Sequence, residues 1–129
     1  MKDVCRLGAL GLWVGDLERS AAFYRDIIGL PLVYSDPHEP ENVPHYETMW
    51  GEWGEQGPVE PYLWFNLYAQ RETPTSGVQL GFPIPNLNEV HERALASGVK
   101  VLAAPRSVPW GQAAVYEDPD GNLVEVTEY

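Results

Sequence analysis

Two stretches of this chain repeat each other. "LGLWVGDLERS", starting at Leu10, and "LGFPIPNLNEV", starting at Leu80, align at an offset of 70 positions. Leu10 matches Leu80, Gly11 matches Gly81, Leu12 matches Phe82, Val14 matches Ile84 and Leu17 matches Leu87. Each stretch alternates with period two and then switches to helical spacing, so each reads as a strand running into a helix. Asp16 and Asn86 fall at the switch, where a short oxygen-bearing side chain accepts from the first free N–H groups of a helix. A duplication of this kind restricts the fold to two like modules.

The first helix is expected over Leu17–Ile28, with Leu17, Ala21, Tyr24 and Ile28 on its buried stripe and Gly29 as its stop. The second is expected over Leu87–Ser97, with Val90, Ala94 and Leu95 inward and Gly98 as its stop. A short apolar strand follows each helix, "LPLVYS" and then "VKVLAA". Two more strands complete each half: roughly "HYETMWGE" and "PYLWFNLYAQ" in the first, "QAAVYED" and "NLVEVTEY" in the second. Pro119-Asp120-Gly121-Asn122 joins the last pair as a turn. The chain therefore reads as one α+β domain over residues 1–129, built from two βαβββ modules at about 4–70 and 77–129, with a linker around "RETPTSG". Between Ser35 and Pro61, four prolines point to a loop with a short strand, carrying His38, His45, Trp50 and Trp53 as a flap.

Bulk properties exclude several classes. The single cysteine, Cys5, rules out an intrachain disulfide and a zinc finger, and reads as a small apolar filler. No apolar run reaches membrane-spanning length, and "MKDVCRLGALGLWVGD" lacks a signal-peptide pattern, so a cytoplasmic protein without a membrane partner is expected. Nineteen acids against eight bases give a net charge of −11, which repels nucleic acid and attracts cations. Five tryptophans and seven tyrosines beside that charge fit a pocket for a flat, cationic organic molecule.

"VGDLERSAAFYRDIIGLPL" and "DPDGNLVEV" resemble the first-helix and last-hairpin signatures of the vicinal oxygen chelate superfamily, which includes glyoxalase I, extradiol dioxygenases and the bleomycin-resistance proteins. The resemblance implies curved sheets from the two modules enclosing a cavity. In metal-dependent members, one ligand on each of four strands, usually two histidines and two glutamates, holds a divalent metal. Carried over to this chain, those places fall on Ala9, Asn66, Gln79 and Glu125, of which Glu125 alone is a good ligand. No cofactor is therefore expected, with a divalent metal as the alternative. His38, Glu39, His45 and Glu47 contain donor pairs, and His45-x-Glu47 would share a strand face, but they fall in the Pro-broken stretch with no second cluster converging on them. His91 is expected at the edge of the second helix rather than as a ligand.

Alternation assigns Leu63, Phe65 and Leu67 to the helix-packed side. Tyr62, Trp64, Asn66 and Tyr68 then share the cavity side with Trp13, Gln79 and Glu125. Gln79, Asn66 and the Trp13 indole are the expected hydrogen-bond donors to Glu125. "SVPWGQAAVYEDPDGN" resembles the corresponding stretch of the bleomycin-resistance proteins and adds Trp110 and Tyr116 as candidate ligand-binding residues. That branch implies a homodimer sequestering an aromatic or cationic small molecule without metal. Two alternatives stand beside it: a glyoxalase- or dioxygenase-type metalloenzyme, and a metal-free enzyme with Glu125 as general base and Tyr62, Tyr68 or Tyr116 as acid partner.

Overall fold

The computed structural model describes residues 5–129, so the expected start of module one at residue 4 lies outside the described residues. Strand β1 (Ala9–Trp13) leads into helix α1 (Leu17–Ala21), which continues as a π-helical segment over Ala22–Ile28. Strands β2 (Val33–Ser35), β3 (His45–Gly54) and β4 (Gly57–Tyr68) complete the first module. The second repeats the order with β5 (Gln79–Pro83), α2 (Leu87–Ala96), β6 (Lys100–Val108), β7 (Gly111–Glu117) and β8 (Leu123–Glu128). The sheets run β1-β4-β3-β2 and β5-β8-β7-β6, with β1–β4 and β5–β8 parallel and the other pairs antiparallel.

The caps form as their chemistry requires. Asp16 Oδ1 accepts from Arg19 N at 3.1 Å and Asn86 Oδ1 from Glu89 N at 3.2 Å. Glu128 Oε1 also accepts from Leu87 N at 2.7 Å, tying the last strand to the start of α2. Along the first helix, Leu17, Ala21, Tyr24 and Ile28 are buried as expected, and so are Phe23 and Ile27. The π-winding is visible in Gly29 N donating five residues back to Tyr24 O at 3.1 Å. On α2, Val90 and Ala94 are buried, but Leu95 is 60 % exposed. A ten-residue helix packed along one stripe has room for Leu87, Val90 and Ala94, and position 95 turns outward. Cys5 is exposed rather than a filler.

The Ser35–Pro61 stretch differs from the expected loop. Its irregular part is short, and β3 and β4 form a long hairpin with a bulge between Trp50 and Glu52. Alternation and cross-strand pairing over ten residues outweigh the prolines, because Pro58 and Pro61 sit near the turn, where a ladder N–H is less needed.

Both sheets press the same kind of face toward the helices. Leu12, Phe65 and Leu67 in the first sheet, and Phe82, Val124 and Val126 in the second, are buried there. Phe65 and Phe82 meet at 6.1 Å between ring centroids, and Tyr24 lies 5.4 Å from Phe65 and 6.2 Å from Phe82. The modules thus share one core through their helix-packed faces, and the opposite faces look outward from it.

Asp118 locks that arrangement. It is buried, and its Oδ2 accepts from Tyr24 OH at 2.6 Å and from Asn122 Nδ2 at 2.9 Å, while Oδ1 accepts from Asp120 N and Asn122 N. Asn122 in turn donates to Thr75 O and accepts from Val78 N in the linker. Burial, followed by the neighbouring Asp118 charge, pushes the Tyr24 phenol far above its ordinary pKa.

Two predictions follow from these contacts. Tyr24→Phe leaves part of a buried carboxylate unpaired and should destabilise the fold by about 1.5–3 kcal/mol in urea denaturation at pH 7. A folded-state phenol pKa above the unfolded value means stability that is complete below pH ~10 and lost as pH rises beyond it; Tyr24→Phe should flatten that decline by about 1.4 kcal/mol per pH unit. Gly111, at φ 143°, has the Glu128 carbonyl oxygen where a Cβ would stand, whereas Gly77, at φ 76°, has open space there. Gly111→Ala should therefore cost about 2–4 kcal/mol in chemical denaturation, and Gly77→Ala only about 1.

Candidate functional site

Strand pairing arranges the outward faces in rows. On the first sheet, Gly11 pairs with Asn66 and Asn66 with Glu47; on the second, Gly81 pairs with Glu125 and Glu125 with Val115. Asn66 and Glu125 thus hold equivalent places in the two modules, as the repeat implies. Ala9 pairs with Trp64 and Gln79 with Leu123, one row along in each sheet.

The first outward face is aromatic. Trp13 and Tyr68 lie 5.1 Å apart and tilted, and Trp53 meets the edge of Trp64 at 6.2 Å. Gly11 makes room for this wall: a Cβ there would come within 2.6 Å of the Tyr68 ring. The chain's own cations already sit on two of the rings, Arg71 at 5.6 Å over Trp13 and Arg6 at 4.4 Å over Tyr62. Burial, and then the Glu41 and Glu47 carboxylates, push the Tyr68 phenol up to about 12, so it keeps its proton at neutral pH. Asn66 is buried at the centre of this face.

The second outward face is plain by comparison. Glu125 is half-buried among Gly81, Val115 and, one strand further, Ala103, while Gln79 is exposed at its margin. Among the described residues no hydrogen bond joins Glu125 to Asn66, Gln79 or Trp13, contrary to expectation. The reason is topological: the aromatic wall and the acid belong to different sheets whose inner faces share the core. Two grooves are formed elsewhere. One, of about 370 Å³, lies between the inner sheet faces and includes Leu10, Trp50, Phe65, Leu80 and Phe82. The other, of about 500 Å³, lies beside the first helix and includes Arg19, Phe23, Asp26, Lys100 and Glu117.

Tyr116, expected among the ligand contacts, lies off both outward faces. Tyr116 pairs with Val124, so it faces α2; it is fully buried, with its hydroxyl 2.8 Å from His91 Nδ1. The period-two pattern of β7 carried that information, since Ala114 and Tyr116 share one parity and Val115 the other. Trp110 is 55 % exposed at the turn between β6 and β7.

The four metal-ligand places do not fit a divalent ion. They supply one carboxylate, two neutral amides and a methyl group, split between two sheets. Nitrogen and oxygen donors converge instead on the aromatic face, where His38, His45 and Glu47 bring one donor atom each within 4.8 Å of the others. The sequence offered His45-x-Glu47 as a signal; reading a broken loop there hid it.

Comparison with known proteins accords with this geometry. The chain is similar to the antibiotic-binding protein TnmS3 of Streptomyces sp. CB03234, at 21% identity and a TM-score of 0.68 over 97% of this chain and 96% of that one. It is also similar to a glyoxalase/bleomycin resistance protein of the same organism, at 21% identity and a TM-score of 0.65 over 95% and 99%. At the level of sequence it is 28% identical to the lactoylglutathione lyase of Salmonella typhimurium, over 91% of this chain and 87% of that protein. No helix among the described residues is long and apolar enough to cross a membrane. The profile of one family matches residues 6–126, and the chain belongs to it: the glyoxalase/bleomycin resistance protein/dioxygenase superfamily.

Proposed function

We propose that this chain binds and sequesters an aromatic or cationic small molecule, and that its four-strand centre does so without a metal. The aromatic first face carries the reading: Trp13, Trp64 and Tyr68 surround Asn66 where a catalytic relative needs a charged ligand. Arg71 over Trp13 and Arg6 over Tyr62 support it as cations seated on the rings of this face, and the net charge of −11 draws further cations in. The likeness to an antibiotic-binding protein supports the same reading.

We further infer a homodimer, in which the second sheet of one copy faces the aromatic sheet of the other and Glu125 meets the ligand there. Exposed Val33, Trp53 and Leu102 support it, because a second copy removes them from water. Sedimentation velocity should give a mass of two chains at micromolar concentration; a monomer throughout defeats the dimer.

The likeness to a lactoylglutathione lyase favours a second reading, a metal-dependent lyase, against which the donor set of the four-strand centre stands. The general-base alternative loses Tyr116 as an acid partner through its burial under α2.

Binding is tested by tryptophan fluorescence and calorimetry with bleomycin and a cationic acridine against a neutral analogue of the acridine. Trp64→Ala should weaken cationic binding about ten-fold, the loss of one desolvated ring–cation contact. Glu125→Gln should weaken the cationic compounds more than the neutral one. Equal losses for both would remove the carboxylate from the site, and no saturable binding of any probe would defeat the function.

A further inference from the structure

The geometry points to a divalent transition-metal site on the first sheet, formed by His38, His45 and Glu47, separate from the four-strand centre. It goes beyond the function proposed above and does not depend on it.

Strand β3 places His45 and Glu47 two residues apart, so both side chains emerge on the outward face. His45 Nε2 stands 3.4 Å from Glu47 Oε2. His38 approaches from the segment between β2 and β3, with its ring 4.8 Å from that of His45. The three groups each bring a donor atom within 4.8 Å of the other two.

Hydrogen bonding orients the two imidazoles for this role. His45 Nδ1 is 3.0 Å from Val43 O, and His38 Nδ1 is 2.8 Å from Glu39 O. A carbonyl oxygen only accepts, so both Nδ1 atoms carry a proton, and in the neutral tautomer the lone pair of each ring is on Nε2. A main-chain carbonyl behind Nδ1 is the arrangement that fixes the tautomer of a metal-bound histidine.

The arrangement also leaves a problem that a cation resolves. The His45 side chain is only 3 % exposed, and its Nε2 lone pair faces a carboxylate that is itself an acceptor. Two acceptors at that separation repel unless a proton or a metal lies between them. Ligands about 2.0–2.1 Å from a tetrahedral ion stand about 3.4 Å apart, which is the His45–Glu47 spacing. His38 lies in an exposed segment between Pro37 and Pro40. Two neutral imidazoles and one carboxylate suit zinc or a similar first-row ion, with positions left open. Those positions lie beside Tyr68, whose ring is 5.4 Å from that of His45.

The test uses the full chain with any purification tag removed, stripped with chelator, desalted and titrated with zinc alone by calorimetry at pH 7.5. One ion per chain is expected. His38→Ala, at an exposed position that spares the fold, should weaken zinc at least about ten-fold. Glu47→Gln should do the same, while Gln79→Ala and Glu125→Gln should leave zinc affinity unchanged. Nitrogen NMR of the imidazoles supplies a second readout, with zinc shifting Nε2 of His38 and His45 and not of His91. Absence of stoichiometric uptake would overturn the site and leave His45 and Glu47 as an ion pair only. Uptake that survives both variants, or that is lost with Glu125→Gln instead, would overturn it equally.

Discussion

Asp118 accepts four hydrogen bonds, and its donors come from three separate parts of the chain or link to them: the first helix through Tyr24, its own turn through Asp120, and Asn122, which reaches the linker at Thr75 and Val78. A buried carboxylate without such partners would be expelled or hold its proton. Fully satisfied, it fixes where the first helix lies against the last hairpin. That position sets the contact of Phe65 with Phe82 and hence the common core of the two modules. The outward faces, and the side chains they display, are placed by this contact at one remove.

The "DPDGN" turn is therefore a structural device as well as a family signature. Its Asp and Asn serve the fold, which frees the next strand to carry Glu125 on the outward side. The remaining charged side chains can be assigned in the same way. Glu128 caps α2, Asp16 caps α1, and Glu117 pairs with Lys100 at 3.2 Å, so several members of the acidic excess hold structure together. Glu125 and Glu47 are the two acids on central rows of the outward faces.

Much of this was legible in the sequence, for local reasons. Asp16 and Asn86 signal helix starts because a cap depends only on the next three residues. The Gly11–Asn66 and Gly81–Glu125 pairings follow from the repeat, since equivalent strands in like modules take equivalent registers. Failures arose where tertiary context decides. Tyr116 was assigned by resemblance against its own parity, and the α2 contact with His91 claims it. The β3–β4 hairpin is masked in the sequence by its prolines, because the partner strand that tolerates them is not visible locally. The separation of the aromatic wall from Glu125 was not legible at all, because strand alternation says which residues share a face and nothing about which faces meet.

The repeat makes the two outward faces directly comparable, and they have diverged in a definite sense. Row for row, Gly11–Asn66–Glu47 in the first module stands against Gly81–Glu125–Val115 in the second. The first has an amide at its centre and a carboxylate one strand outward, next to a histidine; the second has an acid at its centre and an aliphatic neighbour. Charge on the first sheet thus sits on β3 and not on the centre line, which is left to Trp13, Trp64 and Tyr68. A flat apolar ligand can lie against uncharged rings without stripping water from a carboxylate, which lowers the desolvation cost of binding there. The carboxylate on β3 lies near enough to Tyr68 to add to the upward push that burial and Glu41 give its phenol.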